Sequence, residues 1–205
     1  MRALVLLTTF TFVAMVALIV ETNPTHAADA IDCGAPIARN ATAASLGKTF
    51  GKANVKTKMV PGAEGIETKA TVVTLGKSGQ TLTIFWWDEQ KLARPANVSL
   101  SGGGEIWTLA GLSVGMGVKD VEGRNGGPFT ISGLGWDYGG AVIDWKDGAF
   151  GGKDGCTIMV RFTTRDDIET PQDLAGDGVS FDSNDERFLR LEPTIADVSL
   201  GYPAE

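Results

Sequence analysis

Two clusters of aromatic and acidic side chains are the residues of this chain best suited to chemistry. Trp86, Trp87 and Asp88 close a β-forming run, and Trp136, Asp137 and Tyr138 stand inside Gly133-Leu134-Gly135-Trp136-Asp137-Tyr138-Gly139-Gly140. Tryptophan and tyrosine offer large, stiff faces with one polar atom each, the composition of binding hot spots. Neighbours in a strand point to opposite faces. Trp87 therefore shares the more polar side with Thr81 and Thr83, and Trp86 points to the core. By the same alternation Trp136 and Tyr138 share one face of a strand, with Asp137 on the other. Paired glycines permit tight turns and the close approach of another backbone. Trp87, Asp88, Trp136, Asp137 and Tyr138 form the candidate binding set. They point first to a non-enzymatic, protein-recognising module, inhibitor-like or envelope-associated, and alternatively, by stacking on sugar rings, to binding of a cell-envelope glycan. Trp107 and Trp145 read as packing residues.

The carboxylates near these aromatics raise a second chemistry. Glycoside hydrolysis uses two carboxylates roughly 5–10 Å apart, and Asp88, Glu89, Asp137 and Asp144 are the candidates. A carboxylate-based hydrolase is thus the enzymatic alternative to a binding module. Histidine chemistry has little to draw on, because His26 is the single histidine. Metal chemistry also has little support. Asp182-x-Asn184-x-Glu186 resembles a calcium loop, but that pattern needs glycine at its sixth position, where Arg187 stands. No Gly-Lys-Ser/Thr follows Gly102-Gly103-Gly104, so it is not a phosphate loop. We expect no metal and no cofactor.

The N-terminus reads as an export signal. Arg2 precedes an apolar stretch, Ala3–Val20, and Thr25-His26-Ala27 puts small residues at the positions a signal peptidase reads. Residues 1–27 are the expected signal peptide, with Ala28 and Ala30 as alternative cleavage points and a retained anchor as the rival reading. Cleavage removes His26, and with it the usual general base near neutral pH and any Ser-His-Asp or Cys-His arrangement. Asp32 before Cys33 is unlike a lipoprotein signal. A soluble periplasmic or extracellular protein is the expectation, without stable membrane insertion. Cys33 and Cys156 are the two cysteines of an exported chain. They read as one disulfide, with two unpaired thiols as the alternative.

The elements that hold these residues follow from periodicity. Ala43, Leu46 and Phe50 predict a short helix over 41–51, ending at Gly51. Strands are predicted over Asn54–Val60, Lys69–Leu75, Thr81–Trp87, Ala96–Ser101 and Glu105–Leu109. A second helix over Met116–Gly123 follows, stopped by Asn125-Gly126-Gly127-Pro128. Strands come next at Phe129–Ser132, Ala141–Trp145 and Thr157–Thr163, the last with Ile158, Val160 and Phe162 inward. A final strand covers Ala196–Tyr202. Leu46-x3-Phe50-Gly51 and Val121-x3-Asn125-Gly126 repeat at an offset of 75, which also maps strand 81–87 onto 156–162. The fold class is α+β: two tandem units, each a short helix packed on an antiparallel β-sheet. The first unit is 28–110 and the second 111–165. Residues 166–205 supply an acidic loop and a C-terminal strand that completes the second unit.

Gly115-Met116-x4-Val121-x4-Gly126-x-Pro128, followed by an aromatic-rich hairpin, resembles the helix-then-sheet unit of the β-lactamase inhibitor proteins and of small outer-membrane assembly lipoproteins. The resemblance implies tandem units and a binding module rather than a catalyst. The chain departs from it in having one disulfide at most and no lipobox.

Charge adds one more constraint. The net charge of −7 disfavours nucleic acid as a partner. It is unevenly placed: residues 166–186 hold eight acids and no base, and residues 39–77 hold seven bases against Glu64 and Glu67. The acidic stretch reads as a recognition loop for calcium or a basic partner, or as a solvated loop leaning on the basic half.

Overall fold

The computed structural model describes residues 29–204 except 62–65, 77, 105, 106, 153 and 154. The signal peptide read over 1–27 lies outside the described residues. The described elements run β1 (Asp29–Ile31), α1 (Ala43–Thr49), β2 (Val55–Pro61), β3 (Glu67–Thr74), β4 (Thr81–Asp88), β5 (Ala93–Ser101) and β6 (Trp107–Leu109). They continue with α2 (Val118–Asn125), β7 (Thr130–Ser132), β8 (Val142–Asp144), β9 (Thr157–Thr163), β10 (Ser180–Asp182), α3 (Glu186–Leu189) and β11 (Thr194–Gly201). The architecture is mixed helix and sheet, with mostly antiparallel pairing.

Local signals account for most of these elements. Thr42 and Ser45 close a reciprocal capping box at the start of α1 and satisfy two otherwise orphaned amides. Helix α2 begins and ends two residues later than its apolar spacing predicts. Asn125 is its last residue rather than its stop, because the buried side chain has partners outside the helix. It donates to the carbonyls of Gly127 and Trp145 and accepts from the Phe150 amide. Strand β4 alternates as expected: Leu82, Ile84 and Trp86 are buried and Trp87 is exposed.

The main sheet has six strands in the order β2-β3-β4-β5-β11-β9. One face carries Val73, Leu82, Ile84, Val98, Leu100, Val160, Val198 and Leu200, all buried in the core with Leu46 of α1 and Val121 of α2. The pairing does not break at 110/111. Strand β11 lies between β5 and β9, and its apolar side chains continue both neighbours' inward rows. The division expected for two tandem units is therefore not a clean one: β9 and β11 of the second unit join the first unit's sheet, while β7 and β8 pair apart from it, and the C-terminal strand completes the first unit's pairing as much as the second's. A smaller sheet, β10-β7-β8, recruits part of the acidic stretch. Residues 166–186 are thus a loop that includes a 3-10 turn (Gln172–Leu174) and the short strand β10. Parallel β1 and β6 form the third pairing.

Cys33 and Cys156 are joined across 123 residues. The bond ties the N-terminal segment to the residue before β9. Among the described residues, no helix is long and apolar enough to cross a membrane.

Candidate functional site

The groove around Trp87 is built by two local devices. A register shift between Phe85 and Trp86 leaves Trp86 opposite Pro95 and Asp88 opposite Ala93, so Trp87 comes level with Arg94. Arg94 has a φ of 58°, a left-handed conformation unusual for a residue with a side chain. Its amide donates to the Ala41 carbonyl at 3.0 Å, and the Ala43 amide donates to Leu92 at 3.0 Å. Those bonds lay the segment before α1 along the start of β5. Arg39 and Arg94, 55 positions apart, thereby reach one groove with Trp87, Pro95, Tyr202 and Pro203.

Trp87 lies across the sheet. Its indole N–H donates to the Tyr202 carbonyl at 3.0 Å. Tyr202 follows β11, and β5 runs between β4 and β11, so the ring spans β5. Its exposure is 48%, so much of the ring stays open to solvent. Tyr202 is buried and donates its hydroxyl to the Ile37 carbonyl at 3.0 Å, and burial pushes its phenol pKa up. Arg39 donates to the Gly155 carbonyl, beside Cys156 of the disulfide. Gly155 has a φ of 81°, and a β-carbon there would land on the Arg39 guanidinium. Neither Arg39 nor Arg94 pairs with an acid among the described residues. Past Tyr202 and Pro203 the groove opens into a shallow space of about 450 Å³ beside Thr157, Met159 and Gly201.

Asp88 has a structural task next to this groove. Its carboxylate accepts from the Lys91 amide at 2.9 Å and sits 3.5 Å from the Lys91 ammonium. The amide bond, helped by the Lys91 charge, holds the Asp88 pKa below its usual value. A carboxylate held in its charged form is a weak proton donor near neutral pH.

Trp136, Asp137 and Tyr138 are in a turn, not a strand. Residues 135–140 are bends and turns between β7 and β8, so strand alternation does not place them. Gly140 has a φ of 77°, and a β-carbon on it would strike the Phe162 carbonyl oxygen. The paired glycines thus fold the chain onto β9, where the Phe162 amide donates to Gly140 at 2.8 Å. Trp136 is half-buried and donates its indole N–H to Gly133 at 2.8 Å. Tyr138 is 62% exposed and meets Trp136 edge-on, with ring centroids 5.6 Å apart. Asp137 is exposed.

The two aromatic clusters are separate. Trp87 is tied to the Gly201–Tyr202 end of β11, which pairs with Thr157, and the turn contacts Arg161 and Phe162. Four residues of strand, about 13 Å, separate those contact points. The hydrolase carboxylates divide likewise: Asp88 and Glu89 end β4, and Asp137 and Asp144 belong to the turn and β8. Trp145 is buried and Trp107 is partly buried against the core, as packing residues.

The acidic stretch finds its cations locally. Arg187 pairs with Asp173 and Asp185, Arg165 with Asp167, and Lys146 with Asp182. None of the described ion pairs links it to residues 39–77. Asp182 of the calcium-like motif accepts from Lys146 at 2.8 Å. Among the described residues, no three carboxylate, histidine or cysteine groups cluster in a way that could hold a metal ion.

Arg39, Arg94 and Tyr202 are the site residues that sequence reasoning missed. Their convergence depends on non-local pairing, and nothing in their spacing signals it. No protein-family model, curated protein or solved structure matches this chain.

Proposed function

We propose that this chain is an exported binding protein that holds an acidic saccharide of the cell envelope at the Trp87 groove. One observation carries the reading: an indole hydrogen-bonded across the sheet to Tyr202, with two guanidiniums in the same groove that pair with no acid among the described residues. Aromatic faces stack on sugar rings, and guanidinium forks match carboxylates and phosphates. The disulfide supports an oxidising compartment. A binding module is also what the resemblance to the inhibitor and assembly proteins implies.

Calorimetric titration with digalacturonate, with cellobiose as the neutral control, tests this. The acidic disaccharide should bind and cellobiose should not. Trp87→Ala, or Arg39→Ala with Arg94→Ala, should weaken binding at least tenfold, about 1.4 kcal/mol. Equal affinity for both sugars would sink the reading.

Exposure of Tyr138 against Trp136 favours a second reading, protein recognition at the 135–140 turn. Pull-downs from periplasmic extract with wild type and Trp136→Ala/Tyr138→Ala decide it. Equal partner recovery would exclude that turn as the contact.

A further inference from the structure

We propose that the uncovered face of the six-stranded sheet continues the Trp87 groove and binds an acidic glycan as a polymer laid across the strands. This rests on the reading of the groove given above and extends it from one end of the ligand to its length.

The face is defined by register. Every second residue of each strand points away from the core. One row crosses the sheet as Lys56, Val72, Thr83, Ser99, Ser199 and Met159. The next row runs Lys58 and Ala70 on one side and Phe85, Asn97, Gly201 and Thr157 on the other, joined by carrying the register one step past the last β3–β4 pair, Thr71 and Ile84. Among the residues in these two rows only Ala70 is buried; Lys56, Lys58, Thr157 and Met159 are exposed and the others, toward the centre, are partly exposed. No described helix packs there, since Leu46 and Val121 join the core on the opposite side. Trp87 stands one step beyond Phe85 on the same side of β4.

The chemistry of the face selects its occupant. Its centre carries the hydroxyls of Thr83, Ser99 and Ser199 and the Asn97 amide; the Ser99 hydroxyl donates to Asn97 Oδ1 at 2.7 Å, which leaves its lone pairs and the Asn97 N–H groups to a ligand. Protein-recognising patches instead centre on desolvated aromatic and aliphatic side chains. The large exposed apolar groups on this side, Trp87 and Met159, both stand at the groove end. Hydroxyls around a stacking ring match a sugar chain.

Charge fixes which sugar. Lys56 and Lys58 stand at the far edge of the face, and Arg39 and Arg94 at the groove. Asp197 is the one carboxylate on the face among the described strand residues, and Arg161 already pairs with it. Lys56 and Lys58 on β2 lie three strand spacings, roughly 14 Å, across the sheet from Arg94 on β5. A polyanion bridging both cationic ends must be several sugar units long. The protein then grips one chain at two linked places, and affinity grows with chain length.

Titration with galacturonate oligomers of two and eight units, at low and physiological salt, tests this. We expect the octamer to bind wild type roughly tenfold or more tighter than the dimer, with a gain that salt erodes. Lys56→Ala/Lys58→Ala should lose that gain and keep the dimer affinity. Ser99→Ala should lower octamer affinity alone. Sedimentation should show a monomer. Dimer binding without a length-dependent gain, or a gain that survives in the lysine variant, overturns the polymer face and leaves the groove standing. A wild-type dimer that the lysine substitutions dissociate assigns the face to a second copy of the chain and overturns the proposal. Binding of neither oligomer removes the groove reading and the face with it.

Discussion

Trp87 is held by its own indole N–H, and that bond separates a platform from a loosely placed surface ring. Trp87→Phe keeps an aromatic face and deletes the bond to Tyr202. We expect urea unfolding to show a loss of about 1 kcal/mol, with saccharide affinity reduced less than in Trp87→Ala. Asp185 carries a different residue-scale consequence. Its carboxylate accepts from the Arg187 side chain and amide, and the side-chain bond foremost lowers its pKa to about 2. A depressed carboxylate stabilises the fold above its unfolded pKa, near 4, and that stability is lost as pH falls through the folded value. Between pH 4 and pH 2, wild type should therefore lose stability that Asp185→Asn never had. Denaturant midpoints at pH 7, 4 and 2 measure the difference. At this scale the sequence was uneven. Alternation in Thr81–Asp88 assigned Trp86 inward and Trp87 outward, because a central strand with one buried face obeys a period of two. The same rule failed for Trp136 and Tyr138, where glycines at 135, 139 and 140 turn the chain.

Strands and helices were legible where each strand carried its own signal, and their partners were not. The apolar alternation of β4 and β9 marks strands without saying which neighbour each takes. Strand β11 joins β5 and β9, so its place depends on contacts roughly a hundred residues away in one direction. Reading two sheets from two similar helices missed that insertion. Two predictions belong to this scale. Gly140→Ala combines a left-handed backbone with a collision against Phe162, so it should cost more than 2 kcal/mol and lower the thermal midpoint. Removing both cysteines, Cys33→Ser with Cys156→Ser, opens a 123-residue loop. Chain entropy puts the loss near 4–5 kcal/mol, read by denaturant unfolding. Because Arg39 contacts Gly155 beside that bond, the same variant should also weaken saccharide binding.

The whole molecule bears a net charge of −7, and only some of its positive groups pair with its negative ones. Acids near β10 and α3 pair with Arg165, Arg187 and Lys146. Lys56 and Lys58 stand at the β2 edge of the main sheet, without such partners among the described residues. Lysines on an edge strand also guard against unwanted strand pairing, and that role predicts no interaction with anionic surfaces. The polymer face does predict one. At pH 7 and low salt the protein should be retained by a cation-exchange matrix despite its net charge, and Lys56→Glu/Lys58→Glu should flow through. With Lys56 and Lys58 at one edge of the sheet and the surplus acids of 166–186 away from it, the protein should carry a dipole moment as well as its net charge. Near a negatively charged envelope such a dipole experiences a torque at about a Debye length, before any side chain makes contact. The field would turn the lysine edge toward the wall and the acidic end away from it, so the molecule arrives already oriented.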